Sequence, residues 1–519
     1  PQQPVTTTVQ TTSDNAPITP WFETVIPHFD IRNGSLDESV FAANLGEVAL
    51  GTGQEVYINR TMFFEKTYIT AGLRDLANRV ILSLNGEETE NRVISLQTGF
   101  GGGKTHSLIS LYHIAKAGTE TLTSTYASSI LNDGVKPKFD NAKVAVFTNN
   151  TTDVVQGREP ESGIKIRTIW GELAYQLGGA SAYEKVREND QQRIAPAGTI
   201  FKQILEDAAP ALILVDELAD YCTKAAGVKV GNSTLSDQTI AFMQSLTETV
   251  ASVRRCVLIT TLPASAAEIA SSAIGQEILT ALQNRVIRVG TSVTPVDDDE
   301  IFEVIRRRLF ESIGDINTIK VVVDRYRKYY NKRGSELPTH ANNGTYAELI
   351  RKSYPFHPEL IETFRQKWGQ DSRFQRTRGV LRLLASIVND LWKRRHSLVG
   401  AHGLIHTSDV NLSNVKSLTG QITNLKGTAW DSVLHADIIG TTSNSYRIDN
   451  EDPTSDLCKY SIAQGVATTI MLSSVAGLQN TGITLKELKL CMLRPGAYNH
   501  SEINNALSKL ESVAHYMYV

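Results

Sequence analysis

The stretch LQTGFGGGKTHS, residues 96–107, decides the fold of this chain. It follows the short apolar run VISL and opens the stretch KTHSLISLYHIAKA, so the order is strand, glycine-rich turn, helix. Binding a polyphosphate requires backbone N–H groups that point inward at close range, and glycines permit that approach. Lys104 is predicted to reach the β- and γ-phosphates of ATP, and Thr105 to hold magnesium. The alternative is a glycine-rich turn that precedes Lys-Thr by chance.

The phosphate-binding pattern has one departure. Thr98 stands where GxxxxGK[ST] has its first glycine, and many such loops begin with a small residue other than glycine. His106 and His113 lie on the helix that follows, where packing or hydrogen bonding is expected of them rather than metal binding. The residues predicted to bind ATP are Thr98, Gly99, Phe100, Gly101, Gly102, Gly103, Lys104, Thr105 and His106.

A second element, ALILVDELADYC at residues 211–222, places two carboxylates at the end of an apolar strand. Buried carboxylates are costly unless they meet a cation, a hydrogen-bond donor or water. Asp216 is predicted to hold magnesium through water beside Thr105, and Glu217 to orient and deprotonate the attacking water. The alternative is a helix N-terminus with acids in its first turn.

Three further residues complete the predicted site. CVLITTLPAS, residues 256–265, offers Thr260 and Thr261, and Thr261 is preferred because it lies just past the predicted strand. Arg285, before the last core strand, could reach a neighbouring subunit's nucleotide as an arginine finger. Arg382, in a GxxR spacing on a later helix, is expected to face the phosphates. The alternatives are a plain strand-end threonine and surface or salt-bridged arginines.

Short β-branched runs separated by helices predict an α/β fold, with a parallel sheet covered by helices on both faces. After Pro295 the pattern changes to helices only, through about Arg395. The C-terminal stretches TLKELKLCMLRPG and HSEINNALSKLESV, followed by MYV, predict two helices and the first strand of a wing. The predicted organisation is a disordered segment over 1–20, a mixed region over 21–85, an ATPase core over 86–295, a helical lid over 296–400, and a winged-helix-like domain over 401–519 that the parent protein is expected to continue.

Composition excludes several classes of protein. A chain of 519 residues with 41% apolar and 21% charged residues is ordinary for a folded protein of several domains. Its formal net charge of −3 gives no overall basic field, so contacts with nucleic acid must come from local patches. Four scattered cysteines suggest neither a zinc site nor a disulfide framework. With no apolar stretch near the roughly 20 residues of a membrane helix, a cytoplasmic protein without membrane contact is expected.

Local basic patches occur at two places. RYRKYYNKR, residues 325–333, mixes cations with tyrosines, a combination suited to phosphates and stacked bases, and WKRRH follows at 392–396. The alternative for both is a solvated helix face. The last predicted helix pairs Lys509 with Glu502 and Glu511 in its sequence, too acidic for reading a DNA groove, so packing or protein docking is favoured there.

These motifs resemble a known family. The order of phosphate loop, Asp-Glu strand, polar strand end, arginine and GxxR helix resembles AAA+ ATPases, with a lid similar to that of origin-recognition members. Five stretches resemble the ATPases that carry the domain of unknown function 499, over residues 21–392. They are FFEKTYITAGLRDL, LQTGFGGGKTHSLISLYH, TIWGELAYQLGG, VLITTLPAS and YPFHPELIETFRQKW with FQRTRGVLRLLA.

The resemblance implies Mg-dependent ATP hydrolysis, a homo-oligomer, and prokaryotic phage defence beside DNA methyltransferases and helicases. The family roles carry over directly to Lys104, Thr105, Asp216 and Glu217, and less directly to the other candidates. Two functions remain open. One is a motor or remodelling ATPase acting on DNA or a protein–DNA complex, and the other is a nucleotide-gated switch or scaffold that turns over slowly and signals to protein partners.

Overall fold

The chain folds into two compact units, each described here by itself. The sheet unit comprises Asp37–Val304, and the helical unit comprises Pro1–Leu36 with Ile305–Val519. The computed structural model describes residues 18–34, 43–87, 91–98, 103–161, 163–263, 273–286, 291–296, 300–371, 374, 376–400, 402–475 and 482–514. The predicted disordered segment up to residue 17, loop residues 99–102 and the predicted wing strand 517–519 lie outside these residues. Ile18, within the segment predicted to be disordered, is buried.

The sheet unit is built on five parallel strands. They are β1 Val93–Thr98, β2 Lys143–Phe147, β3 Ala211–Val215, β4 Cys256–Pro263 and β5 Thr291–Val293. Their order in the sheet is β5-β1-β4-β3-β2, so the α/β prediction is confirmed for the sheet. β4 runs three residues beyond the predicted end at Thr260, so Thr261 lies inside the strand, where it pairs with Leu96 of β1.

Helices cover both faces of this sheet. All five residues of β3 are buried, as expected for a central parallel strand whose two faces are both covered. Alternate residues of the strands contribute to two separate apolar cores. One core includes the helix Lys104–Ala117, called the Lys104 helix below, and the opposite core includes the helix Leu235–Ser252. Residues on successive strand positions therefore face different helices, which decides which side chains reach the Lys104 helix.

The helices described in the sheet unit include five of 14 to 18 residues. Within one of them, Ile169–Glu184, Gly178 and Gly179 depart from helical geometry. Two antiparallel pairs, Arg158–Glu161 with Ile164–Ile166 and Lys229–Val230 with Ser233–Thr234, lie outside the main sheet. The helices are Leu45–Leu50, Glu55–Ile58, Arg60–Glu65, Ala71–Asn85, Lys104–Ala117, Thr125–Ser128, Ile169–Glu184, Arg187–Gln192, Gly198–Ala208, Leu218–Ala225, Leu235–Ser252 and Ala273–Val286, and Ile301–Leu309 spans the division between the units.

In the residues that the structure describes, the helical unit contains one short strand pair besides its helices. Ile26–Pro27 pairs antiparallel with Phe310–Ser312, so the expectation of helices alone after Pro295 is wrong at that strand. The structure also contains a π-helical turn at Thr363–Lys367. The helices are Trp21–Thr24, Phe29–Asn33, Ile316–Arg333, Gly344–Ser353, Pro358–Glu362, Arg376–Lys393, Lys416–Lys426, Ala429–Asp437, Asn444–Asp449, Asp456–Tyr460, Ile462–Ser474, Leu485–Met492 and His500–Val513.

Two tyrosines of the basic and aromatic stretch 325–333 pack into the core of the helical unit. Tyr326 and Tyr330 are fully buried. The Tyr326 hydroxyl lies 2.9 Å from Nε2 of His406, and the Tyr330 hydroxyl lies 2.9 Å from Nε2 of His357. The two imidazole rings stack with their centroids 4.4 Å apart. These two tyrosines are therefore internal, and the nucleic-acid interpretation is wrong for them.

The second basic patch and the last helix also make contacts within the helical unit. The Arg394 guanidinium donates to Asp390 at 2.7 Å, and Arg395 lies over the Trp392 ring at 4.4 Å. In His500–Val513 the helical spacing of Ile503, Ala506, Leu507, Leu510 and Val513 predicts one buried face, and the first four of these residues are buried. The prediction is wrong for Val513, which is 44% exposed because the helix ends at that residue.

None of the described helices combines the length and apolar character that a membrane crossing requires.

Candidate functional site

The Lys104 helix begins directly after a glycine in the left-handed region. Gly103 is its N-cap, with φ 75°. A Cβ atom at this position would lie 3.0 Å from Cγ2 of Val296, so both backbone conformation and space favour glycine. Lys104 and Thr105 consequently occupy the first turn, where backbone N–H groups have no helical partners and the helix dipole is positive. This end of the helix is suited to bind an anion.

Asp216 joins three elements at the carboxyl edge of the sheet. It follows β3 directly and is 4% exposed. Thr105 of the Lys104 helix donates to Oδ2 at 2.7 Å, and Thr261 of β4 donates to Oδ1 at 2.6 Å. The backbone N–H of Glu217 lies 3.1 Å from the same Oδ1. These donors satisfy a carboxylate that would otherwise be costly to bury.

The register of β4 explains why Thr261, and not its neighbour, reaches Asp216. Thr260 pairs with Val215, and its side chain lies on the opposite face of the sheet because successive residues of a strand point in opposite directions. The Thr260 hydroxyl is buried without a hydrogen-bond partner among the described residues. Thr261 also accepts a hydrogen bond from the Glu217 backbone at 3.1 Å. It therefore holds both acidic residues.

Glu217 adopts a backbone conformation that is unusual for its residue type. Its φ of 55° and ψ of 36° lie in the left-handed region, immediately before the helix Leu218–Ala225. For a residue other than glycine, such a conformation costs of order 1–3 kcal/mol and tends to occur at functional sites. The bonds from the Glu217 N–H to Asp216 and Thr261 help to hold this turn.

The surroundings of Glu217 change its acidity. Burial, together with the smaller effect of the negative charges of Asp216 and Asp220, raises the pKa of Glu217 to about 7, while the charges of Lys224 and Lys104 act in the opposite direction. A carboxyl group with this pKa takes up and releases protons near neutral pH, as a general base must. The opposing effect of Lys104 also shows that its charge acts on Glu217.

The oxygen atoms at this edge fit a hard divalent cation. Among the described residues, no group of three or more His, Cys, Asp and Glu side chains is arranged to hold a metal ion. Thr105 and Asp216 offer one hydroxyl and one carboxylate side by side. Mg²⁺ usually keeps several waters and binds through one or two carboxylates plus substrate phosphates. The donor set therefore fits Mg²⁺ that is held together with a nucleotide.

The remaining predicted residues lie elsewhere. Arg285 is exposed in the last turn of Ala273–Val286. Hydrogen bonds from Thr234 lower the pKa of Asp237, and the charge of Arg285 adds a smaller effect in the same direction. Arg382 belongs to the helical unit, where its Nη2 donates to Gln421 Oε1 at 2.7 Å. Of the loop residues, 99–102 lie outside the described chain.

Sequence reasoning missed two groups of contacts around the site. Asp220 lies one turn after Glu217, and Lys224 donates to Asn150 Oδ1 at 3.2 Å. The helical spacing of Asp220 and Lys224 after Glu217 could have predicted that these charges lie near the Glu217 side chain. His106, for which the sequence predicts packing or hydrogen bonding, has Nε2 2.9 Å from the Thr67 hydroxyl, so that prediction is confirmed and only the partner was missed. Nothing in the local sequence pairs these two residues, which are 39 positions apart.

These features define an α/β protein whose five-stranded parallel sheet, flanked by helices, is compatible with a P-loop-like fold. Residues 26–293 match the DUF499 N-terminal domain, and residues 296–519 match the DUF499 second domain. The chain therefore belongs to the DUF499 family, as the sequence motifs predicted. A comparison with curated proteins gives no match.

The two threonines of β4 provide a matched test of the Asp216 cluster. Thr261→Val should lower the free energy of unfolding by about 1–3 kcal/mol, because it removes one of the three donors to the buried Asp216 and one of the two acceptors of the Glu217 N–H. Thr260→Val should leave it unchanged or raise it slightly, since that hydroxyl has no partner in the described chain. Urea denaturation of both variants measures the difference. Equal losses in the two variants would contradict the assigned hydrogen bonds.

Proposed function

We propose that this chain binds ATP together with Mg²⁺ and hydrolyses it. The observation that carries the proposal is the Asp216 cluster, in which one buried carboxylate accepts hydrogen bonds from Thr105, Thr261 and the Glu217 backbone. It brings the start of an anion-binding helix, a hard-oxygen donor pair and a carboxyl group of raised pKa to one edge of the sheet. Phosphoryl transfer requires these three components at one place.

The phosphates of ATP are assigned to the segment from Thr98 to His106. Lys104 supplies a point charge for the β- and γ-phosphates, and the N–H groups of the first helical turn supply hydrogen bonds. Thr105 and Asp216 would hold Mg²⁺. When bound, Mg²⁺ neutralises charge on the phosphate oxygens.

Glu217 is assigned as the general base. A water oxygen attacks the γ-phosphorus while its proton passes to the Glu217 carboxylate. The bond between the γ-phosphorus and the bridging oxygen breaks, and ADP leaves with the electron pair. The Glu217 backbone is held by the hydrogen bonds from its N–H and by its left-handed conformation. These constraints fix the point on the backbone from which the Glu217 side chain extends. Thr261 is assigned a role in keeping Asp216 and Glu217 in register at the γ-phosphate.

The proposal of a homo-oligomer rests on the family resemblance and on the exposed residue Arg285. We infer an AAA+ type homo-oligomer in which Arg285, exposed at a helix end, serves the nucleotide of a neighbouring subunit. Arg382 is assigned to an AAA+ lid, and the two last helices to a winged-helix-like domain. A cytoplasmic role as a motor or remodelling ATPase in DNA-directed phage defence, beside a methyltransferase or helicase, fits this assignment.

A slowly turning switch or scaffold is the second candidate. It is favoured by the raised pKa of Glu217, because a pKa of about 7 leaves part of the base protonated at neutral pH and so slows turnover. Such a protein would spend most of its time loaded with ATP and signal through its conformation to protein partners. Steady-state ATPase rates with and without DNA separate the two candidates.

ATP binding should depend on Lys104. Lys104→Ala removes charge-assisted contacts to phosphate, so the affinity for ATP with Mg²⁺ should fall on the order of tenfold or more. Lys116→Ala is the matched control, since it removes an exposed lysine at the other end of the same helix. Isothermal titration calorimetry measures both. Unchanged affinity in the Lys104 variant would refute the phosphate assignment.

Hydrolysis should depend on the protonation of Glu217. The carboxyl group is protonated below its pKa, so the parent rate should rise as the pH increases through about 7. Asp220→Asn removes a neighbouring negative charge and should move the midpoint to lower pH. Glu217→Gln should bind ATP but hydrolyse it very slowly at every pH. A Gln variant with the parent rate would show that Glu217 is not the base.

If Arg285 acts across subunits, the specific ATPase rate should rise with protein concentration. Arg285→Ala should bind ATP normally but lose on the order of 10³-fold in turnover. Mixing it with Lys104→Ala should restore some activity, because the Lys104 variant donates an intact arginine to the intact pocket of its partner. Folded, assembled variants whose mixture stays inactive would make Arg285 a structural arginine and leave Arg382 as the candidate for γ-phosphate contact.

A further inference from the structure

The first turn of the Lys104 helix is held from the side by His106. Its Nε2 lies 2.9 Å from the Thr67 hydroxyl, which in turn donates to the Phe63 carbonyl at 2.6 Å. A threonine hydroxyl has one proton, and that proton is used on Phe63. The Thr67 oxygen must therefore accept from His106, and Nε2 carries the proton.

A second histidine repeats this chemistry further along the same helix. His113 lies seven residues after His106, and its Nε2 is 2.8 Å from the Tyr57 carbonyl oxygen. A carbonyl only accepts, so this Nε2 is also a donor. The Phe63 ring packs against both imidazoles, with centroid distances of 4.6 Å and 5.2 Å. Both histidines thus fasten the helix to the segment 57–67, but only His106 adjoins Thr105.

We propose that His106 is a positioning residue for the nucleotide site. Its bond to Thr67 fixes the rotation of the first helical turn, so that the Thr105 hydroxyl stays on Asp216 and Lys104 stays directed at the phosphates. Thr67 is suited to this role because it is 5% exposed and tied to Phe63. Because the Thr67 oxygen is buried, water does not compete with it as the acceptor of the His106 N–H. The inference rests on the proposed ATP binding.

The test compares two substitutions at each histidine. His106→Leu removes the donor, and its dissociation constant for ATP with Mg²⁺ should rise about tenfold, the loss of one hydrogen bond. His106→Gln places an amide donor near the Nε2 position and should keep the affinity within about threefold of the parent. His113→Leu, the matched control, should lower the melting temperature but leave the affinity unchanged. Calorimetry measures affinity, and thermal unfolding without nucleotide measures stability.

Thr67 gives a second route to the same result. Thr67→Val should weaken ATP binding as much as His106→Leu, Thr67→Ser should not, and the double variant with His106→Leu should lose no more than either single one. If His106→Leu does not fold, the comparison of Thr67→Val with Thr67→Ser tests the proposal. Parent-like affinity in His106→Leu or Thr67→Val, or an equal loss in His113→Leu, overturns the proposal. Lys104→Ala in the same assay separates this failure from a failure of ATP binding itself.

Discussion

The arrangement of the sheet unit depends on one buried carboxylate. Asp216 is almost completely buried, and an ionised carboxylate in that position must receive hydrogen bonds. Its donors come from the Lys104 helix, from β4 and from the turn after β3. In the observed strand order β4 lies between β1 and β3, and the three donors converge on Asp216 at the carboxyl edge. The same hydrogen bonds therefore join the start of the Lys104 helix, β4 and the turn that carries Glu217.

The features that suit Glu217 to its proposed role also reduce the stability of the fold. Glu217 adopts a left-handed conformation that most side chains avoid, and it lies beside two other carboxylates, so both its backbone and its charge are unfavourable. Thr261 offsets part of this cost by bonding to the Glu217 backbone and to Asp216. A glycine at position 217 would relieve the backbone, and it would also remove the proposed base. Such a trade-off is typical of sites selected for reactivity rather than for stability.

Much of this was predictable from local sequence, and the rest depends on contacts between distant residues. β3 was predicted residue for residue, because its apolar run is bounded by proline and aspartate. β4 was predicted too short, because Thr261 is polar and its place in the strand is fixed by pairing with β1. The bond between Arg382 and Gln421 and the bond between His106 and Thr67 each join residues 39 positions apart. No periodicity or motif encodes such pairs, and the buried tyrosines of 325–333 were misleading for the same reason.

The stacked histidines of the helical unit carry a consequence for acid tolerance. Burial lowers the pKa of His406 to about 3, with a smaller effect from Arg494, and burial also holds the pKa of His357 well below its ordinary value of 6.5. An unfolded chain binds protons at these residues as the pH falls below about 6.5, whereas the folded unit does not until far lower pH. Folding stability must therefore decrease on acidification through that range. Two core histidines thus make the unit that contains them less stable in mild acid than at neutral pH.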